Sequence, residues 1–387
     1  MDPYYRPTRA EISLDALHHN LQAFRSALPA EMRIMAVVKG NAYGHGALAI
    51  ADEAVRGGAD YLGVAFLDEA LELRRAGIAA PILVLGYTPP DGFDQALRHD
   101  ITLTVFSDDA LYGLARLPRT ARRLKVHVKI DTGMSRIGLP GYEEAVRFID
   151  KLLELESVEV EGLFTHYARA DEADKRYTLD QYERLVRIVE HYRSRGIGFP
   201  YVHAGNSAAA IDTPQYCFNM VRLGISMYGL YPSQEVNRQR VELEPVMRLV
   251  TRVVMLKDIP AGTPVSYGGI YTAQGKETIA TIPVGYADGY SRMLTGKACV
   301  LVKGRRVPVV GRICMDQCMI NVTGIDAALG DEVVLIGSQG DERITAEELA
   351  DWLGTINYEV TSMVSNRVPR VYLRGGQCIR VVNPLLH

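Results

Sequence analysis

Residues 36–46 read Ala36-Val37-Val38-Lys39-Gly40-Asn41-Ala42-Tyr43-Gly44-His45-Gly46. A strand-like apolar run leads directly into a lysine, then into a loop with three glycines and a phenol. A desolvated lysine loses its proton more readily, which makes its amine a nucleophile for an aldehyde. A solvated loop lysine is the alternative reading, and the glycines weigh against it because they let a backbone approach a ligand. Other apolar runs end in comparable groups. Phe164 is followed by Thr165-His166, Val202 by His203-Ala204-Gly205-Asn206-Ser207, and Arg222-Leu223-Gly224-Ile225 ends the last. Ser207 and the amides at Gly224 and Ile225 suit a phosphate. A lone histidine is more often a polar core residue, but two histidines, a lysine, an arginine and a Gly-Asn-Ser turn at successive strand ends suit one site.

The elements that must position these groups alternate. Short Val/Ile/Leu-rich runs stand at 34–38, 61–66, 82–85, 102–105, 126–130, 160–164, 201–203 and 221–225. Such runs suit a parallel sheet buried on both faces. Between them amphipathic patterns predict helices at 14–28, 47–56, 67–76, 143–155 and 179–192. Eight strands alternating with helices predict an α/β fold, a (β/α)8 TIM-like barrel, in which strand ends face the site. An open doubly wound sheet remains the rival, since alternation alone does not prove closure. After about residue 240 the pattern becomes β-rich, with strands near 250–254, 300–302, 307–310 and 333–336 and one inserted helix at 346–353. The expected organisation is an N-terminal strand segment, 1–13, joining the C-terminal domain; a barrel, 14–240; and a mostly β C-terminal domain, 241–387.

Composition bounds the partners. The chain has 387 residues, 43 Lys+Arg, 46 Asp+Glu and a formal net charge of -3, which gives no electrostatic case for nucleic acid. Hydrophobic residues make up 48%, ample for a folded core. No apolar run is long enough to span a membrane, and the start lacks a secretory pattern, so a cytoplasmic location is expected. The five cysteines form neither a disulfide framework nor a zinc-ligand pattern; they read as buried small hydrophobes, and no metal is expected.

The lysine segment resembles the pyridoxal-phosphate motif of bacterial alanine racemases. So do His203-Ala204-Gly205-Asn206-Ser207-Ala208, Arg222-Leu223-Gly224-Ile225, Val265-Ser266-Tyr267-Gly268, Gly285-Tyr286-Ala287-Asp288-Gly289 and Cys314-Met315-Asp316-Gln317. The resemblance runs through nearly the whole chain in the family's order, with Gly40 and Gly205 standing where that pattern has alanine.

The resemblance implies a fold-type III pyridoxal 5'-phosphate enzyme, working as a homodimer, that interconverts L- and D-alanine and supplies D-alanine for peptidoglycan. By the same resemblance Lys39 holds the cofactor as an internal Schiff base and serves as one base. Tyr267, contributed by the other subunit, is the second. Tyr43, Ser207, Gly224, Ile225 and Tyr358 take the phosphate. Arg222 faces the pyridine nitrogen with His203 and Asn206 near that contact, and His166 lies against the ring. Arg136 and the backbone amide of Met315 from the partner chain hold the substrate carboxylate. Arg136 also serves as the cation that stabilises the Tyr267 phenolate. Lys129 matches a position open to carbamylation, with an ordinary lysine contact as the alternative. Tyr286, with Tyr267 and Tyr358, fits a narrow entrance. Three other readings stand beside this one: a racemase of broader range, a fold-type III decarboxylase and a non-catalytic cofactor carrier. Arg222, where a decarboxylase would want an acid, argues against the second, and the β-domain argues against the third.

Overall fold

The computed structural model describes residues 4–118 and 121–386, so residues 1–3 of the expected N-terminal segment and His387 of the C-terminal domain lie outside it. The chain divides into two compact units. One holds Leu17–Ala42 and Ala47–Glu244; the other holds residues 4–16, Tyr43–Gly46 and 245–386.

The first unit is the barrel. Its strands are Arg33–Val37, Tyr61–Val64, Ile82–Val84, Thr102–Val105, Leu124–Asp131, Val158–Phe164, Tyr201–His203 and Met220–Leu223. They pair in parallel in chain order, and the last returns to pair with the first. That return pairing, together with the bonds across the one remaining seam, rules out the open sheet. The remaining seam, between Tyr201–His203 and Met220–Leu223, carries separate bonds in place of a ladder: Asn219 N donates to Val202 O at 3.2 Å and Arg222 N to Gly205 O at 3.0 Å. Ile82, Leu83 and Val84 show no exposed surface, as expected for a strand covered on both faces. Helices Ala47–Arg56, Leu67–Arg75, Tyr142–Leu153 and Arg176–Ser194 lie where the apolar periodicity predicts. Asp108–Ala115 is additional, as are Phe93–Arg98 and Ser207–Asp212, the last two too brief to set up a readable period.

The second unit is built on one mixed sheet. Strand Arg9–Ser13 lies inside it, antiparallel to Met247–Arg252 and parallel to Arg370–Arg374. Its apolar residues Ala10 and Ile12 are fully buried while the alternate positions are not. Besides helix Ala346–Leu353 there is a second, Asn357–Ser362, which carries Tyr358. At six residues, with β-branched Val360 and Thr361 in its last turn, it gives little helical signal.

All five cysteines are free; Cys217 and Cys318 are buried, but Cys378 is exposed on the strand Gln377–Val382, contrary to the buried reading. Among the described residues no helix is long and apolar enough to cross a membrane.

Candidate active site

Lys39 follows the strand Arg33–Val37, whose Ile34–Val37 are buried. The chain then enters a left-handed turn: Gly40, Asn41, Ala42 and Tyr43 hold φ of 61°, 53°, 54° and 52°. For L-residues this costs roughly 1–2 kcal/mol each, so the surroundings must enforce it. Glu69 does part of that: its carboxylate accepts from Gly40 N at 2.7 Å and from Ala65 N at 2.7 Å. Burial, with the Arg136 charge second, draws the Lys39 amine below the ordinary lysine range, and Glu69 offsets part of the shift.

Arg222, 4% exposed, is the hub of the barrel site. One terminal nitrogen donates to His203 Nδ1 at 2.8 Å. The other donates to Thr165 O, Ala204 O and His166 Nδ1, each at 2.9 Å. None of these acceptors is a carboxylate, and burial draws the guanidinium down to about 10. Burial, then the Arg222 charge, holds both His166 and His203 well below the usual histidine range. Both rings therefore stay neutral and accept from the arginine.

The seventh and eighth strands lead into the Ser207 region. Ser207 Oγ accepts from Gly224 N at 3.0 Å and from Ser226 N at 3.5 Å. Ser226 Oγ is buried with no hydrogen-bond partner among the described residues. Ile225 is buried beside it in sequence, and Asn206 Oδ1 caps helix Ser207–Asp212 by accepting from Ala209 N at 3.0 Å. Lys129, on Leu124–Asp131, is buried with Nζ 4.5 Å from the centre of the Phe164 ring. Burial, followed by the charges of Arg222 and Arg136, holds its amine well below the lysine range. Asp131 Oδ1 accepts the amides of Gly133, Met134 and Ser135, which shapes the loop that delivers Arg136.

Lys39, Lys129, Arg136 and Arg222 thus bear on one another, while Glu69 is committed to backbone amides. An interior so rich in cations, with an orphaned hydroxyl at Ser226, fits a bound anion carrying a phosphate. Among the described residues no cluster of His, Cys, Asp and Glu is placed to hold a metal.

The second unit carries the other expected residues. Tyr43 and Tyr358 lie with ring centroids 6.2 Å apart, and burial pushes the Tyr43 phenol up. Tyr267 follows Ser266, whose φ is 65° and whose Oγ donates to Arg312 O at 2.6 Å. The loops of Tyr286 and Met315 are tied together: Tyr286 N donates to Cys314 O and Ala287 N to Met315 O, each at 3.1 Å. Tyr267 is 70% exposed, Met315 52% and Tyr286 41%.

Comparison with known proteins finds the family described as "Alanine racemase, N-terminal domain" matching residues 12–232, and "Alanine racemase, C-terminal domain" matching residues 246–372. The chain belongs to the alanine racemase family. The alanine racemase of Clostridium novyi is 44% identical over 386 residues, 99% of this chain and 100% of that protein. That of Desulfovibrio desulfuricans is 48% identical over 375 residues, 96% of this chain and 100% of that protein. The crystal structure of alanine racemase from Bacillus anthracis, with bound L-Ala-P, superposes with a TM-score of 0.95 at 43% identity, covering 100% of both chains.

Two features of this family member were not read from its sequence. Gly44 and Gly46 serve chain packing within the second unit, where the sequence reading gave them to a ligand. A Cβ at Gly44 would meet Thr361 O at 2.1 Å, and one at Gly46 would meet the Tyr372 hydroxyl at 1.8 Å. The second feature is a buried polar chain behind Arg222, from His203 through His127 to Glu161. Its signal was a histidine inside the apolar run Val126-His127-Val128, which reads equally well as a core residue.

Proposed function

We propose that this chain interconverts L- and D-alanine with pyridoxal 5'-phosphate, by proton transfer at Cα between two bases. When bound, the cofactor supplies an aldehyde that binds amino groups and an electron sink that acidifies the α-proton. The residues on the barrel rim fit it. Ser207 and the amides of Gly224 and Ile225 take the phosphate, and Tyr43 and Tyr358 keep the same assignment from their motifs. His166 would lie against the ring, and His203 and Asn206 would back the Arg222 contact. Arg222, whose guanidinium can only donate, would meet the ring nitrogen and disfavour a proton there. Such a contact would limit negative charge on the cofactor and so restrain side reactions.

Lys39 serves one face of the substrate α-carbon, and its lowered amine is ready both to bind the aldehyde and to take a proton. Tyr267 serves the opposite face from the partner subunit. One group removes the α-proton and the other returns one, so configuration inverts. Arg136 and the Met315 amide hold the carboxylate, and Tyr286 narrows the entrance. Lys129, its amine drawn below the lysine range by burial, takes up carbon dioxide and releases a proton; the resulting carbamate answers the surrounding cations and orients Arg136. The homodimer reading is supported by the exposure of Tyr267, Ile270 and Met315, large side chains with no cover in one chain. The free cysteines suit a reducing cytoplasm, and the D-alanine formed there enters peptidoglycan.

The observation that carries the reading is the set formed by Lys39, drawn toward its neutral amine, and Arg222, a buried cation with no carboxylate partner. Purified protein is expected to be coloured, to be trapped by borohydride at Lys39, and to carry L-alanine to an equal mixture of enantiomers. Lys39→Ala should lower the rate by at least about 10³-fold. A colourless protein that leaves L-alanine unchanged would overturn the proposal.

A further inference from the structure

We infer that His127 and Glu161 are positioning residues for this reaction, fixing through His203 the way Arg222 presents its guanidinium to the cofactor ring. This rests on the function proposed above.

The argument follows from donors and acceptors. Arginine only donates, so at the 2.8 Å contact with Arg222 the His203 Nδ1 must accept. A neutral His203 then carries its proton on Nε2, which lies 2.9 Å from His127 Nδ1. His127 Nδ1 must accept in turn, leaving its own proton on Nε2, 3.1 Å from Glu161 Oε2. Every link points the same way, from guanidinium to carboxylate, and neither ring has freedom to choose its tautomer. Tyr61 also donates to Glu161 Oε2 at 2.9 Å, and its oxygen accepts the Thr102 hydroxyl at 2.6 Å.

Packing holds the chain in place. His203 stacks on Phe164 at 4.6 Å, and His127 stacks on Tyr201 at 5.7 Å. Gly162 leaves the room: a Cβ there would lie 2.8 Å from His127 Nδ1. The four members stand on four neighbouring barrel strands, the fifth to the eighth, and all are buried. Burial lowers both imidazoles, in agreement with neutral rings.

A carboxylate placed directly against Arg222 would occupy its N–H groups and cancel its charge where the ring needs it. Held two neutral imidazoles away, the same carboxylate balances the buried cation and leaves the guanidinium face free. Residues that support metal ligands change affinity or activity by about 10- to 100-fold, which sets the scale for a comparable contact here.

Nitrogen-15 spectra of histidine-labelled protein test the geometry without any turnover. Both His127 and His203 should appear at neutral pH as neutral rings protonated on Nε2; either ring as the Nδ1–H form or as imidazolium overturns the inference. Glu161→Gln keeps the volume and removes the charge, and should lower kcat about tenfold with KM unchanged within about twofold and the absorbance band of the loaded enzyme shifted. An unaltered kcat and band would overturn it as well. If Glu161→Gln does not fold, His127→Gln is read by the same criteria. Failure of wild-type protein to bind the cofactor would sink the proposed function instead, and the ring spectra would still report on the chain.

Discussion

A Cβ built on Gly205 would lie 2.3 Å from the sulfur of Cys217 and 2.9 Å from its Cβ, so the two positions share one small volume. This gives a physical reason for glycine where the sequence resemblance leads one to expect alanine. Gly205→Ala should therefore destabilise by about 1–3 kcal/mol through overpacking. Cys217→Ala should relieve part of that, so the double variant should melt above the sum of the two separate losses. A cycle of four thermal melts that adds without interaction would refute the shared volume. At this scale Lys39 was legible, because an amine at the end of an apolar run in a glycine-rich loop is unusual. His127 and Glu161 were not, since their significance lies in which nitrogen faces which neighbour, and no spacing in the chain records that.

The turn Tyr286–Asp288 shows how elements are held by residues far away in the chain. Asp288 is 1% exposed and receives both terminal nitrogens of Arg6, at 2.7 and 2.9 Å, together with Arg367 Nε at 3.0 Å. Its other duty is to accept from Gly285 N at 3.1 Å, and Arg367 reaches on to Asp316 at 2.6 Å, next to Met315. Removing Arg6 strips a buried carboxylate of one of two cations. Arg6→Ala should cost about 2 kcal/mol and lower the melting temperature, whereas Arg6→Lys, which cannot make the paired contact, should recover only part. An Arg6→Ala protein melting like wild type would contradict this. The long barrel helices were legible from their apolar period, and the buried strands from short unbroken apolar runs. The left-handed turn after Lys39 was not, because only Gly40 and Asn41 tolerate positive φ readily, and Ala42 and Tyr43 give no local sign of it.

At the scale of the molecule, Lys39 lies in the barrel unit, while Tyr267 and Met315 are carried by the other and stand exposed on it. If a second copy supplies Tyr267, inactive Lys39→Ala and Tyr267→Phe chains should complement. A random mixture, unfolded and refolded together, should regain about a quarter of wild-type activity, since half the dimers are mixed and each holds one intact site. No recovery would rule out donation between subunits. The chain alone determined the alternation of strand and helix, the shift to β texture after the barrel, and the residue types able to bind an aldehyde, a phosphate and a carboxylate. These are local properties, written in side-chain period and functional group. Only the tertiary structure decided that the last barrel strand returns to the first, that Gly44 and Gly46 serve packing, and that Arg222 is backed by two neutral imidazoles and a distant carboxylate. Those outcomes depend on close approach between residues far apart in sequence, where burial sets protonation and a single ångström separates contact from clash.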